Sequence, residues 1–295
     1  MPAPYALFCA DPLNPRSVDP AFQVEMEAAR AAGFTPVRID HDELDHRVDA
    51  DAALRPAHFD GEGKAIYRGW MLSTGAYEPL FGALSRRGID LVTSPEAYAA
   101  CHTTPGSYGP LRDWMPETAW VPMESIDDAR AVQDVLSKFG SSPIIVKDWV
   151  KSQAAGYWAE ACFIPDASDT AGAYRVIARF RELQGESLAG GLVFKRYVSL
   201  LPTGAPTLEH RAFIAGGKVV GCWPRSEQAK EIGAPPGLIL NAVASSVPSP
   251  FASADFGCDL DGRWWLLEVG DGQVSGLPDE MPAAAIFAAL AHLAD

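Results

Sequence analysis

The sequence predicts an α/β lobe followed by an α+β half, and three observations predict it. Strand-like and helix-like segments alternate through about the first hundred residues. Two capped amphipathic helices follow, each with an apolar strand beside it. Two later segments fold back on Gly216-Gly217 and Asp261-Gly262, dipeptides suited to the positive-φ positions of hairpin turns. A chain of 295 residues that is 48% hydrophobic can bury a sizeable core, as one large domain or roughly two to three small ones.

In order, "YALFCA" reads as a strand and "PAFQVEMEAARAAGF" as a helix with Phe22, Met26, Ala29 and Gly33 on one face; "TPVRID" is the strand that closes a parallel β-α-β unit. "AIYRGWM", the helical "AYEPLFGALSRRG" and "IDLVTS" complete a lobe over residues 1–94. Residues 95–118, rich in Pro, Gly and Thr, read as a crossing segment. "SIDDARAVQDVLSKFG" predicts a helix capped at Ser125, with Asp127 and Asp128 in its first turn. With the strand "SPIIVKDWV" and the helix "SDTAGAYRVIARFRELQG" it makes a small subdomain over 119–190. A last subdomain, 191–295, holds the strand "GGLVFKRYVSL", the two hairpins and the alanine-rich helix "PAAAIFAALAHLA".

Charge and targeting signals exclude several classes. A formal net charge of −14 repels polyanions, so neither nucleic acid nor an anionic membrane surface is an expected partner. No segment approaches the roughly 18 unbroken apolar residues of a membrane span, and "MPAPYALFCADPLNP" has no cationic start, which predicts a cytoplasmic protein. The five cysteines stand singly in apolar surroundings and read as buried free thiols. There is no Gly-x-Ser-x-Gly, and no histidine stands in a triad-like context, so hydrolase chemistry has little support.

The candidate site residues are charges in places where charge needs a reason. "DGRWWLLEVGDGQVSG" ends an apolar run in Glu268 and Asp271. A symmetric turn at Asp261-Gly262 places Asp255 opposite Glu268, with β-carbons roughly 5 Å apart on one face. Like charges there need a cation or a shared proton, and such a pair suits Mg²⁺ when phosphate completes its shell; the alternative is the wet face of an antiparallel hairpin. Lys147, inside the apolar "IIVKDWV", either meets an anion such as phosphate or extends its amine to solvent. Lys151 and Ser152 would add a charge and a hydroxyl beside it. Arg211, in "EHRAFIAGG", suits bidentate contact with phosphate, or forms a surface ion pair with Glu209 or Glu227; Arg225, past the return strand, is of the same type. Arg68, at the end of "AIYR" before Gly69, either meets a substrate carboxylate at a strand tip or is an edge arginine beside Trp70.

This order of a lysine strand, an arginine hairpin and a carboxylate hairpin resembles the ATP-grasp superfamily. "VKDWVKS", "EHRAFIAGGKVVG" and "LLEVGDGQVSGLP", preceded by "YRGWM" and "SPEAYAACH", resemble its clade named for one arginine and two lysines, relatives of the ribosomal-protein glutamate ligases. The resemblance implies an ATP-grasp fold: a pre-ATP-grasp α/β lobe, then two α+β subdomains that clamp ATP. It implies an ATP- and Mg²⁺-dependent ligase that joins a small-molecule or peptide carboxylate to an amine acceptor through an acyl phosphate, and often a homodimer. By position, Lys147, Lys151 and Ser152 would contact phosphate, and Phe194, Lys195, Tyr197 and Val198 would border adenine. Glu209 and Arg211 would face the nucleotide, with Arg211 at the transferring phosphoryl. Asp255, Glu268 and Asp271 would hold metal, and Arg68, Arg225, Gln273, Ser275 and Gly276 would border the acceptor.

Three positions depart from the family pattern. The usual Glu-x-Asn reads Glu268-Val269-Gly270, so Asp271 substitutes or the second metal site is weakened. The hinge, where a glutamate is common, reads Lys195-Arg196. The loop after Lys147 is poorer in glycine than in many relatives. An ATP-binding sensor without ligase turnover and a small-molecule kinase therefore stand as alternatives.

Overall fold

A computed structural model describes residues 3–150, 157–201 and 208–294. The chain divides into two compact units, one formed by Met1–His102, Leu208–Phe256 and Val269–Asp295, the other by Thr103–Thr207 and Gly257–Glu268.

The first unit opens with a parallel sheet in which β1 (Tyr5–Asp11) lies between β3 (Thr35–Ile39) and β4 (Gly63–Arg68), with β5 (Ile89–Leu91) beyond β4. β2 (Asn14–Val18), which the sequence reading missed, turns back against the end of β1. Its residues "NPRSV" are mostly exposed and carry no apolar alternation by which to find it. The helix Gln23–Ala31 joins β1 to β3 in sequence, as its apolar spacing predicts, and Thr74–Ser85 begins where Ser73 Oγ accepts from Ala76 N. The C-terminal helix Ala283–Ala294 packs into the same core: the Phe287 ring lies 6.2 Å from Phe8 and 5.9 Å from Phe34.

Residues 95–118 are more ordered than a crossing segment. They form two helices, Pro95–His102 and Thr104–Leu111, before β6 (Thr118–Pro122). Pro95 and Pro105, which suggested a loop, stand in first turns, where a missing N–H costs nothing, and Thr103 caps the second helix through Gly106 N.

In the second unit β6, β9 (Gly191–Arg196), β7 (Ile144–Asp148) and β8 (Phe163–Ile164) form an antiparallel sheet in that order. The helices Ala129–Ser137 and Thr170–Gln184 supply its core from Val132, Leu136, Ile177 and Phe180. The first begins at Asp128, whose Oδ1 accepts from Arg130 N and Ala131 N, three residues beyond the expected cap at Ser125. Ser125 instead ends a short 3-10 turn. Both residues are good caps, and the later one leaves Val132, Val135 and Leu136 on one buried face.

The remaining sheet runs β11 (Lys218–Pro224), β10 (Glu209–Ala215), β12 (Phe251–Cys258), β13 (Trp264–Asp271). The β10–β11 hairpin turns at Gly216-Gly217, φ +57° and +72°, as predicted. The last hairpin does not turn symmetrically about Asp261-Gly262. Gly262, at φ +82°, donates to Asp259 O, and Asp259 N donates to Arg263 O. At its base Gly272 N donates to Phe251 O, so eight residue steps of β12 run against nine of β13. The extra residue is a bulge, and Leu266 N leaves the ladder for Trp114 O.

Candidate active site

On the second unit's sheet Lys147 lies opposite Val193, and Ile145 opposite Lys195. Opposed residues share a face and side chains two apart point the same way, so the register brings both lysines to one face as diagonal neighbours. Ile144, Val146, Leu192 and Phe194 fill the core on the other. Lys147 Nζ donates to Glu268 Oε1 at 2.7 Å and to Val150 O at 3.3 Å; Lys195 Nζ donates to the Leu267 carbonyl. Both amines are buried. Burial, reinforced by the charge of Lys147 and opposed by Glu268, pulls Lys195 down to about 8. Two ammonium groups beside one carboxylate leave a positive potential suited to phosphate oxygens.

The turn that follows Lys147 is held by Asp148, a fully buried residue that the sequence reading did not single out. Its Oδ1 accepts from Val150 N, and its Oδ2 from Gln184 Nε2 and Ala189 N. Phe194 is buried in the core, and Tyr197, just past β9, packs its ring against Phe163 and Trp158 while its N–H donates to Pro143 O. Val198 follows it in the same irregular stretch. Lys151 and Ser152 lie outside the described residues.

In the first unit Asp255 gathers two arginines. Arg211 Nε and Nη2 donate to its two oxygens at 2.7 Å each, a planar fork, and Arg225 Nη1 reaches Oδ2 at 3.1 Å and Glu209 Oε2 at 2.9 Å. The remaining Nη1 of Arg211 donates to Gly276 O at 3.0 Å. Glu209, Arg211, Arg225, Asp255 and Gly276 are thus one connected group.

The loop after β13 is fastened from beneath. Asp271 is fully buried; its Oδ1 accepts from both Gln273 N and Gln273 Nε2, and its Oδ2 from Ser249 Oγ. Burial outweighs these donors and lifts its carboxyl to about 7. Gln273, 1% exposed, accepts from Tyr67 N and Tyr77 Oη. Ser275 Oγ meets Ser253 Oγ at 2.6 Å. Arg68 is also buried: its Nε and Nη2 form a fork with Glu25, and its Nη1 donates to Gly272 O and Ser275 O. Arg68 therefore stands among protein partners, and neither it nor Gln273 is a surface group at a strand tip. Glu25 went unnoticed in the sequence, although a charge on the apolar face of Phe22, Met26 and Ala29 was a signal.

A protein-family model for the ATP-grasp domain, family 3 of the clade named for one arginine and two lysines, matches residues 138–290. This chain belongs to that ATP-grasp clade. The model spans the lysine strands, the arginine hairpin and the carboxylate hairpin, and so confirms the resemblance read from those motifs. No curated protein sequence matches the chain. Solved structures show the same ATP-grasp fold from end to end. D-cycloserine synthetase DcsG superposes with a TM-score of 0.64 at 17% identity, over 99% of this chain and 100% of that one. A RimK domain ATP-grasp protein from Sphaerobacter thermophilus gives 0.64 at 14%, over 98% and 99%. The ATP-grasp ligase PsnB, complexed with minimal precursor, Mg and ADP, gives 0.55 at 14%, over 100% and 99%.

The structure accounts for one departure of this ATP-grasp chain from its family. A β-carbon on Gly270 would lie 3.0 Å from both Ser253 Oγ and Ser275 Oγ, a tight contact, so a side chain here would have to shift the serine pair. Among the described residues no three His, Cys, Asp or Glu side chains converge as a metal cage. Mg²⁺ needs none, since it takes one or two carboxylates and completes its shell with phosphate and water. Glu268, an oxygen donor on a rigid strand and half exposed, fits that role. Asp255 and Asp271 do not fit it as they stand: both are buried, and their oxygens are held, those of Asp255 by Arg211 and Arg225 and those of Asp271 by Gln273 and Ser249.

Proposed function

We propose that this ATP-grasp protein is an ATP- and Mg²⁺-dependent carboxylate–amine ligase that works through an acyl phosphate. The observation that carries the reading is the pair Lys147 and Lys195 on one sheet face beside Glu268, inside the segment matched as an ATP-grasp domain. The solved relatives support it, since one is a synthetase and another a ligase complexed with Mg and ADP.

In this reading Lys147 and Lys195 bind phosphate oxygens, and the approach of that anion restores the full charge of Lys195. Arg211, oriented by its fork to Asp255, neutralises charge on the phosphoryl group passing to the substrate carboxylate. Glu268 would hold Mg²⁺, which when bound supplies further neutralisation of the phosphates. The acceptor carboxylate gains the γ-phosphoryl and ADP departs; an amine then attacks the acyl carbon and expels phosphate. Arg225 and the loop carrying Ser275 and Gly276 border the acid. A second reading, an ATP-binding sensor, is favoured by one observation: Gly270, where the family pattern has asparagine, is crowded by the Ser253–Ser275 pair.

Incubation with Mg-ATP, hydroxylamine and a pooled carboxylate library, read by mass spectrometry, separates the two. The ligase reading expects ADP and a hydroxamate, with a loss of at least about 100-fold in Glu268→Gln and in Lys147→Met, the size expected where electrostatic stabilisation is removed. ATP binding without ADP above the Glu268→Gln background across the whole library would support the sensor.

A further inference from the structure

The loop that would border the acceptor is held from the N-terminal lobe by a buried guanidinium. Arg68 ends β4, the strand tip where an open α/β sheet ordinarily meets ligand. Yet its side chain is 1% exposed, and four of its donor contacts go to protein: 2.6 and 2.7 Å to the two oxygens of Glu25, 2.5 Å to Gly272 O and 3.0 Å to Ser275 O. Glu25 lies in the Gln23–Ala31 helix and is 7% exposed. The two carbonyls lie in the loop whose next carbonyl, Gly276 O, accepts from Arg211.

We propose that Arg68 and Glu25 are positioning residues for the ligase reaction. They form a buried clamp that fixes the loop at 272–276 and, through Gly276 O, the direction of Arg211. This deepens the ligase reading and rests on it for the reaction concerned; the clamp itself is a statement about the loop.

The chemistry favours a clamp over a mere core pair. A buried ion pair is a poor source of stability beside well-packed apolar side chains, and its best-attested use is to specify one arrangement. A guanidinium is suited to that use here. Glu25 engages one edge in a planar fork and thereby sets the plane of the group, which leaves Nη1 aimed at two carbonyls that are three residues apart in sequence. A lysine amine has no such plane. The other loop fastenings act at different atoms: Gly272 N donates to Phe251 O, Gln273 O accepts from Gly69 N, the Gln273 amide bonds Tyr67, Tyr77 and Asp271, and Ser275 Oγ bonds Ser253 and Asp271 O. None of these touches Gly272 O or replaces the charge-assisted bonds to it.

The test is hydrogen–deuterium exchange on the whole 295-residue chain, wild type against Arg68→Lys and Glu25→Gln, with circular dichroism and thermal unfolding to establish that each variant is folded. Glu25→Gln keeps the size and one acceptor, so it decides the matter where Arg68→Lys does not fold. The expected result is exchange at least about tenfold faster in peptides covering 272–276, with β1 and the Gln23–Ala31 helix unchanged. Unchanged exchange in the loop, or faster exchange spread evenly over the lobe, would overturn the clamp.

A kinetic arm uses whichever carboxylate yields a hydroxamate in the pooled assay. A positioning role expects its KM to rise or kcat to fall at least about tenfold while KM for Mg-ATP stays within about threefold. Equal loss in both KM values at unchanged kcat would overturn it. Because exchange needs no substrate, a wild type without turnover would sink the ligase reading and leave the clamp to be decided by its own measurement.

Discussion

Asp271 shows how one buried atom pair ties protonation to folding. Its carboxyl is lifted from the ordinary value of 3.8 to about 7, because burial opposes the charged form more than Gln273 and Ser249 favour it. A group whose proton affinity is higher in the folded state adds stability that is complete below the unfolded value and is lost as pH rises through the folded one. The window is therefore from about pH 4 to about pH 7. Asp271→Asn removes the titration and keeps an oxygen for Gln273 and an amide donor for Ser249 Oγ. The midpoint of thermal unfolding of the variant should gain on wild type by roughly 5 °C between pH 5 and pH 8, a size that follows from the entropy of unfolding for a chain of this length. A constant gap across that range would mean that the carboxyl is not protonated in the fold.

At the scale of strands and loops, the serine pair and Gly270 form one packed unit. Gly270→Asn, which restores the family pattern, forces a β-carbon to 3.0 Å from two hydroxyls that bond each other. Overpacking of this kind costs about 1–3 kcal/mol, and Ser253→Ala in the same chain should return part of it; denaturant titration of the two variants against wild type measures both. Elements that rest on local pattern were legible in the sequence. Lys147 stood out because a charge interrupts an apolar strand, and the β10–β11 hairpin because Gly216-Gly217 takes positive φ. The two helices in 95–118 were hidden by prolines and glycines that also fit loops. The bulge in β13 was hidden because Leu266 N finds its acceptor at Trp114, far away in the chain. The partners of Arg68 were hidden for the same reason: Glu25 stands 43 positions before it and Gly272 204 after it, and no local period encodes such a meeting.

At the scale of the molecule, the core of the first unit is closed by the C-terminal helix. Phe287, fully buried between Phe8 and Phe34, anchors it. Phe287→Ala should cost about 3–5 kcal/mol, read as a lower midpoint in chemical denaturation, and should shift the protection of β1 along with that of the helix. Protection lost in the helix alone would mean that it docks as an appendage. The fold class was readable from motif order, and the matched ATP-grasp family agrees with it. The interleaving of the two units was not, since it follows from long-range packing: the first unit takes Met1–His102 and then waits for Leu208–Phe256 and Val269–Asp295. During synthesis this spacing becomes a delay. At roughly 5–20 residues per second, the nascent lobe spends on the order of ten to forty seconds with the core-facing sides of Phe8 and Phe34 uncovered before Phe287 emerges. A chain built this way should depend on holding chaperones during translation more than one whose lobes close in sequence.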